Sequence, residues 1–252
     1  MSDRLHEAVA RVRERTSLVP RVALVIGQGF DLGGDLFAPE ARVDLPEIGA
    51  DVAVALGRIE GVPVAVHSGS SADGGVTVRE AGLPVRVSRL LGAEVLVLTG
   101  VCRALDPSLV AGDLVVVEDH LNLLGENPLV GPNEDELGPR FPDMTEPYDP
   151  ILRTLAREAA AAAGARLGGG VYAAIPDANL LAAGEYVKLR QLGARLVGPG
   201  VVPEVIAARH MGMRVLAMLA VAADSPSPSG PGVGPVLREL VKRLGLPEDL
   251  RG

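Results

Sequence analysis

Residues 83–100 read LPVRVSRLLGAEVLVLTG, and the fold class follows from how this stretch is divided. Its first part, PVRVSRLLGA (84–93), is a helix candidate that ends in glycine, and EVLVLTG (94–100) is an unbroken apolar run of the kind found in strands buried on both faces. Both neighbouring regions repeat the alternation. Towards the N-terminus, DVAVALGRIEGVPVAVH (51–67) predicts a hairpin turning near Glu60 and Gly61, and RVALVIG (21–27) predicts a strand. Ser2 or Asp3 caps a first helix whose apolar residues Leu5, Ala8, Val9 and Val12 share one face.

Towards the C-terminus, DLVVVEDHLNLL (113–124) is a strand and its exit, and residues 125–150 form a long irregular connection rich in Pro, Gly and Asp. Loops of that length are functional or structurally tied down. DPILRTLAREAAAAAGA (149–165) predicts a helix closed by Gly164, GGVYAAIP (169–176) a strand, NLLAAGEYVKLRQLGA (179–194) a helix and RLVG (195–198) a short strand. PEVIAARHMG (203–212) opens with proline in a first helical turn, RVLAMLAVAAD (214–224) is the last central strand, and GPVLRELVKRLG (234–245) is the closing helix. SPSPSGPGVGP (225–235) reads as a flexible surface loop. No linker or internal repeat interrupts the series, so the expectation is one α/β domain over residues 1–252.

Composition narrows the function. Of 252 residues 48% are hydrophobic but only 2% aromatic, so the core is Ala, Val and Leu. The formal net charge of −8, with no basic stripe, argues against nucleic acid or an anionic membrane as partner. Cys102 is the only cysteine, which excludes a disulfide framework and a cysteine-based metal site. The start, MSDRLHEAVARVRERT, is charged rather than signal-like, and no apolar run approaches the roughly 20 residues that span a bilayer. A soluble cytoplasmic protein is expected.

Two glycine-rich stretches draw the eye. GQGFDLG (27–33) follows a strand, but GDLFAPEARVDLPEIG (34–49) after it is broken by Gly34 and Pro39, so the helix that a dinucleotide fingerprint requires does not follow. A tight turn presenting N–H groups to a small anion and an ordinary strand exit both remain open. HSGSSADGG (67–75) has the composition of a loop that wraps a phosphate, yet it carries no cation.

Taken in order, VALVIGQGF, LPVRVSRLLGAEVLVLTG, AGDLVVVEDHLNLLGENPLVGPN (111–133), RFPDMTEPYD, GVYAAIP, LGARLVG and VPEVIAARHMGMRVLA closely resemble blocks of the trimeric purine nucleoside phosphorylase and methylthioadenosine phosphorylase family. The resemblance spans about residues 20–224. It implies an α/β fold around a mixed, twisted, barrel-like sheet flanked by helices. It also implies a homotrimer with sites near subunit boundaries, and cleavage of purine nucleosides with phosphate as co-substrate and no cofactor or metal.

Carried across residue by residue, the resemblance places the phosphate-loop positions at Gly27, Gln28, Gly29, Ser70, Ser71 and Gly200, and the nucleoside-pocket positions at Cys102, Tyr172, Leu180, Leu181, Val197, Pro199 and Ala223. Many differ from the family pattern. The family's phosphate-loop arginine and histidine fall at Gly69 and Ser71, its base-binding glutamate at Leu181, and its asparagine at Ala223. The turn that reads NAAGG in the family is Gly100-Val101-Cys102-Arg103-Ala104 here.

Asp224, one residue past the asparagine slot, is the candidate catalytic residue; the competing reading is a surface aspartate capping its strand. Arg103 either returns a positive charge to the site or is solvated or paired. His67, His120 and His210 fit core or surface roles and His6 faces outward; Glu204 suits a helix N-terminus, and Glu185 with Lys188 a solvated pair. Three functions follow as expectations: a purine nucleoside phosphorylase with weak, altered or lost activity; a non-catalytic ligand-binding or assembly member; or an enzyme that uses the same pocket for another small nucleoside or base.

Overall fold

The computed structural model describes residues 2–27, 36–49, 51–68, 77–222 and 233–245. Among these, nine strands form one mixed sheet: β1 (Val22–Ile26), β2 (Ala38–Asp44), β3 (Ala53–Ile59), β4 (Val62–Ser68), β5 (Val95–Ala104), β6 (Leu114–Asn122), β7 (Leu167–Ala174), β8 (Ala194–Gly198) and β9 (Arg214–Val221). Their order is β2-β3-β4-β1-β5-β8-β7-β6-β9, and β9 also pairs with β5. That second pairing closes β5, β8, β7, β6 and β9 into a barrel-like ring, from which β1, β4, β3 and β2 extend as a wing. Seven helices flank it: α1 (Ser2–Arg15), α2 (Val78–Ala81), α3 (Leu83–Leu90), α4 (Pro150–Ala162), α5 (Ala183–Gln191), α6 (Val202–His210) and α7 (Val233–Gly245). This is the single α/β domain that the sequence predicts, and no described helix is long and apolar enough to cross a membrane.

Strand β5 joins the parts. Val95 and Val97 face a cluster shared with α4 and α7, whereas Leu96, Leu98 and Cys102 face one shared with α6. Burial on both faces explains why the sequence here shows no alternation. The strand runs on to Ala104, past Gly100 where the sequence reading ends it, because 103–104 pair with Val197 and Leu196 of β8.

Local chemistry sets the element ends. The β3–β4 hairpin turns where expected, with positive φ at Glu60 and Gly61. Thr77 and Glu80 make a capping box that starts α2 ahead of the predicted helix. Helix α5 begins four residues later than predicted, because Asp177 accepts the Asn179 N–H at 2.7 Å and holds Ala178–Leu180 as a 3-10 turn. Strand β2 is absent from the sequence reading: it is an edge strand in which Val43 alone is buried, so it carries almost no apolar pattern. The long connection before α4 is tied down rather than free. Arg140 donates to the carbonyls of Leu129 and Gly131 at 2.8 and 3.0 Å, and Asn133 donates to that of Gly138 at 3.0 Å.

Asp149 ends that connection. Its Oδ1 accepts the N–H groups of Ile151 and Leu152 at 2.9 and 3.0 Å, capping α4, and its Oδ2 meets Arg214 Nε of β9 at 2.6 Å. Burial alone raises this carboxyl's pKa, but Arg214 and the two helix N–H groups outweigh burial and leave it lowered. A depressed carboxylate contributes stability that is present above the ordinary carboxylate pKa and lost as pH falls through its folded value. Asp149→Ala is therefore expected to cost at least the roughly 0.5–2 kcal/mol of an N-cap in urea denaturation at neutral pH. The gap from wild type is expected to narrow in acid; a constant gap down to full protonation contradicts the assignment.

Candidate functional site

The parallel strands β4, β1, β5 and β9 all end at one edge of the sheet, the position where open α/β sheets receive ligands. Gly27, Ser68 and Ala222, at three of those ends, lead into residues 28–35, 69–76 and 223–232. The candidates Gln28, Gly29, Ser70, Ser71, Ala223 and Asp224 lie in those segments, outside the described residues. Gly27 is described and constrained: its N–H donates to Thr99 O at 2.9 Å. A Cβ there would stand 2.6 Å from that oxygen and 2.7 Å from Gly100 Cα, so only glycine lets the β1 exit lie against β5.

Beyond this contact one face of β5 opens to solvent. Thr99 is buried, its hydroxyl donating to Val25 O at 3.0 Å. Val101, two residues on and so on the same face, is 41% exposed, and Leu105 is buried again. Arg103 lies between Val101 and Leu105, half-buried, directly across the ladder from Val197. The open shelf thus separates the apolar cluster beneath α4 and α7 from a second one, in which Leu105, Ala173, Ile175, Ala178, Leu189, Ala194 and Val197 are covered by Leu181 and Tyr186.

The 3-10 turn forms the rim. Arg103 Nη2 donates to Asn179 Oδ1 at 2.8 Å, Leu181 is half-buried against the cluster that contains Val197, and Leu180 is 81% exposed. Asn179 did not figure in the sequence reading; the only signal for it was the D-A-N-L turn chemistry at 177–180. On the β8 side, Pro199 is exposed and Gly200 half-buried. They lead into Val201, whose φ of 77° is a strained conformation for a β-branched residue. Val202 N–H donates to Gly200 O at 3.0 Å across it, closing a γ-turn at the start of α6.

Tyr172 and Val197 are both fully buried and lie in different clusters, on opposite sides of the sheet. Tyr172 stands behind the wall. Its hydroxyl accepts from the backbone of Gly200, and a Cβ on Gly198 would come within 2.5 Å of it. Burial, and then the neighbouring Cys102, Tyr148 and Glu204, raise its pKa well above the usual value. Burial pushes the Cys102 thiol up to about 12, which makes it an inert core group rather than a nucleophile.

The histidines do not gather here. His120 Nδ1 lies 3.1 Å from Tyr148 Oη in an edge-to-face pair, and burial lowers its pKa. His210 is buried between Arg86 Nη1 at 3.2 Å and Asn133 Oδ1 at 3.3 Å. His67 is buried in β4, and His6 is exposed on α1 beside Ser2. Glu204 is buried in the first turn of α6. Glu185 caps its own helix by accepting the Ala182 N–H at 2.7 Å, a role different from the expected pair with Lys188. No group of three or more His, Cys, Asp or Glu is placed to hold a metal among the described residues. What the described edge offers is an apolar shelf, one guanidinium and a strained turn at a helix start.

A family model described as the Phosphorylase superfamily matches residues 21–240. The purine nucleoside phosphorylase 1 of Bacillus subtilis (strain 168) is 35% identical over 226 residues, covering 86% of this chain and 83% of that protein. That of Geobacillus stearothermophilus is 34% identical over 222 residues, covering 84% and 81%. Among solved structures, the purine nucleoside phosphorylase of Schistosoma mansoni in complex with adenosine superposes with a TM-score of 0.86 at 26% identity, covering 97% of this chain and 98% of that one. The sheet, its parallel strand ends and these likenesses agree: the chain belongs to the Phosphorylase superfamily and, within it, to the purine nucleoside phosphorylase family.

Proposed function

We propose that the protein binds a purine nucleoside or base at the edge formed by β5, β8 and the 178–181 turn, and that its phosphorolysis of 6-oxopurine nucleosides is weak or lost. The carrying observation is the packing of Leu181 against the apolar cluster that contains Val197, with the guanidinium of Arg103 bonded to Asn179 at its rim. Phosphorolysis places negative charge on the departing base, and preorganised donors and carboxylates aimed at the base stabilise it. Leu181 accepts no hydrogen bond, and by the sequence comparison Ala223 offers none where relatives place an amide. Gly69 and Ser71, at the positions of an arginine and a histidine, leave the attacking phosphate to backbone N–H groups and hydroxyls. Likeness to a Schistosoma mansoni relative solved in complex with hypoxanthine supports a purine as the ligand class.

Removing one preorganised contact of this kind costs about 10²–10³-fold in rate. A coupled assay on the unmodified protein, with inosine and phosphate, is expected to give turnover lower than that of a purine nucleoside phosphorylase run alongside by at least that factor. Turnover equal to that of the comparison enzyme overturns the reading.

The assembly is proposed as a homotrimer. The connection that joins β6 to α4 exposes large apolar side chains, Val130 at 68% and Phe141 at 86%, a surface suited to burial against another copy. Light scattering at micromolar concentration is expected to give three times the chain mass, and a monomer there refutes the trimer.

A further inference from the structure

We propose that Arg103 sets the base specificity of this site, selecting a nucleoside or base whose recognised edge is anionic or carries two carbonyls; this rests on the nucleoside-site reading above. The guanidinium stands where a wet shelf meets a dry cluster, with Val101 open to solvent on one side and Val197 and Leu105 buried on the other. Arginine has five N–H donors and no acceptor. Among the described residues its contact is a single one, from Nη2 to the neutral amide oxygen of Asn179.

Other half-buried arginines of the sheet are neutralised. Arg195, one strand over, holds Asp106 at 2.7 Å, and Arg214 holds Asp149 at 2.6 Å. No carboxylate stands within ion-pair range of Arg103 among the described residues. A cation half-withdrawn from water against apolar walls is costly unless an acceptor meets it. Asn179 orients the planar fork without neutralising it, and the remaining donors match two coplanar acceptors. A heterocycle edge with a carbonyl beside a deprotonated ring nitrogen, or beside a second carbonyl, supplies them. Adenine places an amino donor along such an edge and is disfavoured. Among purines the class is represented by xanthine, whose nucleoside loses a ring proton near neutral pH.

Calorimetric titration of the full chain with xanthosine, inosine, adenosine and inorganic phosphate tests this. In mildly alkaline buffer xanthosine is expected to bind about tenfold to a hundredfold more tightly than inosine, the range of one hydrogen bond to a charged group, with adenosine weakest. That preference is expected to fade in mildly acidic buffer, where xanthosine is neutral. Arg103→Gln is expected to abolish the preference, bringing xanthosine affinity down to that of inosine. Asn179→Asp, which sets a carboxylate against the guanidinium, is expected to lower xanthosine affinity selectively, and it decides the matter if Arg103→Gln fails to fold. Equal binding of the three nucleosides, or a preference that survives both variants, overturns the proposal and leaves the nucleoside site standing. So does an Arg103→Gln protein that loses only phosphate binding. Absence of any nucleoside binding overturns both.

Discussion

Strand β5 hydrogen-bonds to three others, and the rest of the molecule is arranged around that demand. Along Val95–Thr99 it pairs with β1 on one side and β9 on the other, and only its last two residues reach β8. A strand paired on both edges and covered on both faces has no place for charge or for a large departure from the pleat. It therefore reads V-L-V-L-T-G-V-C, and its first charged residue, Arg103, falls where the strand leaves the core. The ring closes and the site opens at the same point, because β5 changes partner there and the shelf at Val101 is left uncovered.

Behind that shelf the structure is stiff. Tyr172, Tyr148 and Glu204 are withdrawn from water together, and His120 meets Tyr148 from the side of β6. Polar groups in such a place are costly unless an acceptor or donor meets them, and the contact between His120 and Tyr148 ties β6 to the end of the connection before α4. The backbone of Gly200 donates to Tyr172, and Gly198 must lack a Cβ to clear the same ring. The strained turn at Val201 is held between that tyrosine and a helix whose residues are nearly all buried. Strain persists only where surroundings over-determine it. Here the surroundings are the buried Tyr172 and the first turn of α6.

The sequence carried the fold because its main signals are local. Valine-rich runs mark the central strands, Glu60-Gly61 marks a hairpin, and Asp149 with Gly164 brackets a helix. What it hid was set by tertiary context. Strand β2 shows one buried side chain, the extension of β5 depends on a partner nearly a hundred residues away, and the late start of α5 follows from an aspartate bonding to its own turn. Of the candidate site, the sequence offered strand ends and glycine-rich stretches but not the contacts between side chains. Resemblance of motifs placed Tyr172 and Val197 in one pocket, but strand alternation across β7 and β8 puts them on opposite sides of the sheet. Asn179 carries no pattern of its own and acquires a role only because Arg103 reaches it.

The requirements that hold the fold fall on residues other than those exposed at the rim. The fold depends on close backbone approaches, such as Gly27 against Thr99 and Gly198 against Tyr172, and on apolar clusters that reject polar substitution whatever the protein binds. Val101, Leu180 and Pro199 are exposed at the rim, and the side chain at 103 reaches water. Exchanging them alters the shape and charge presented to a ligand without opening a cavity in the core, so their substitution carries little of the stability penalty of a core change.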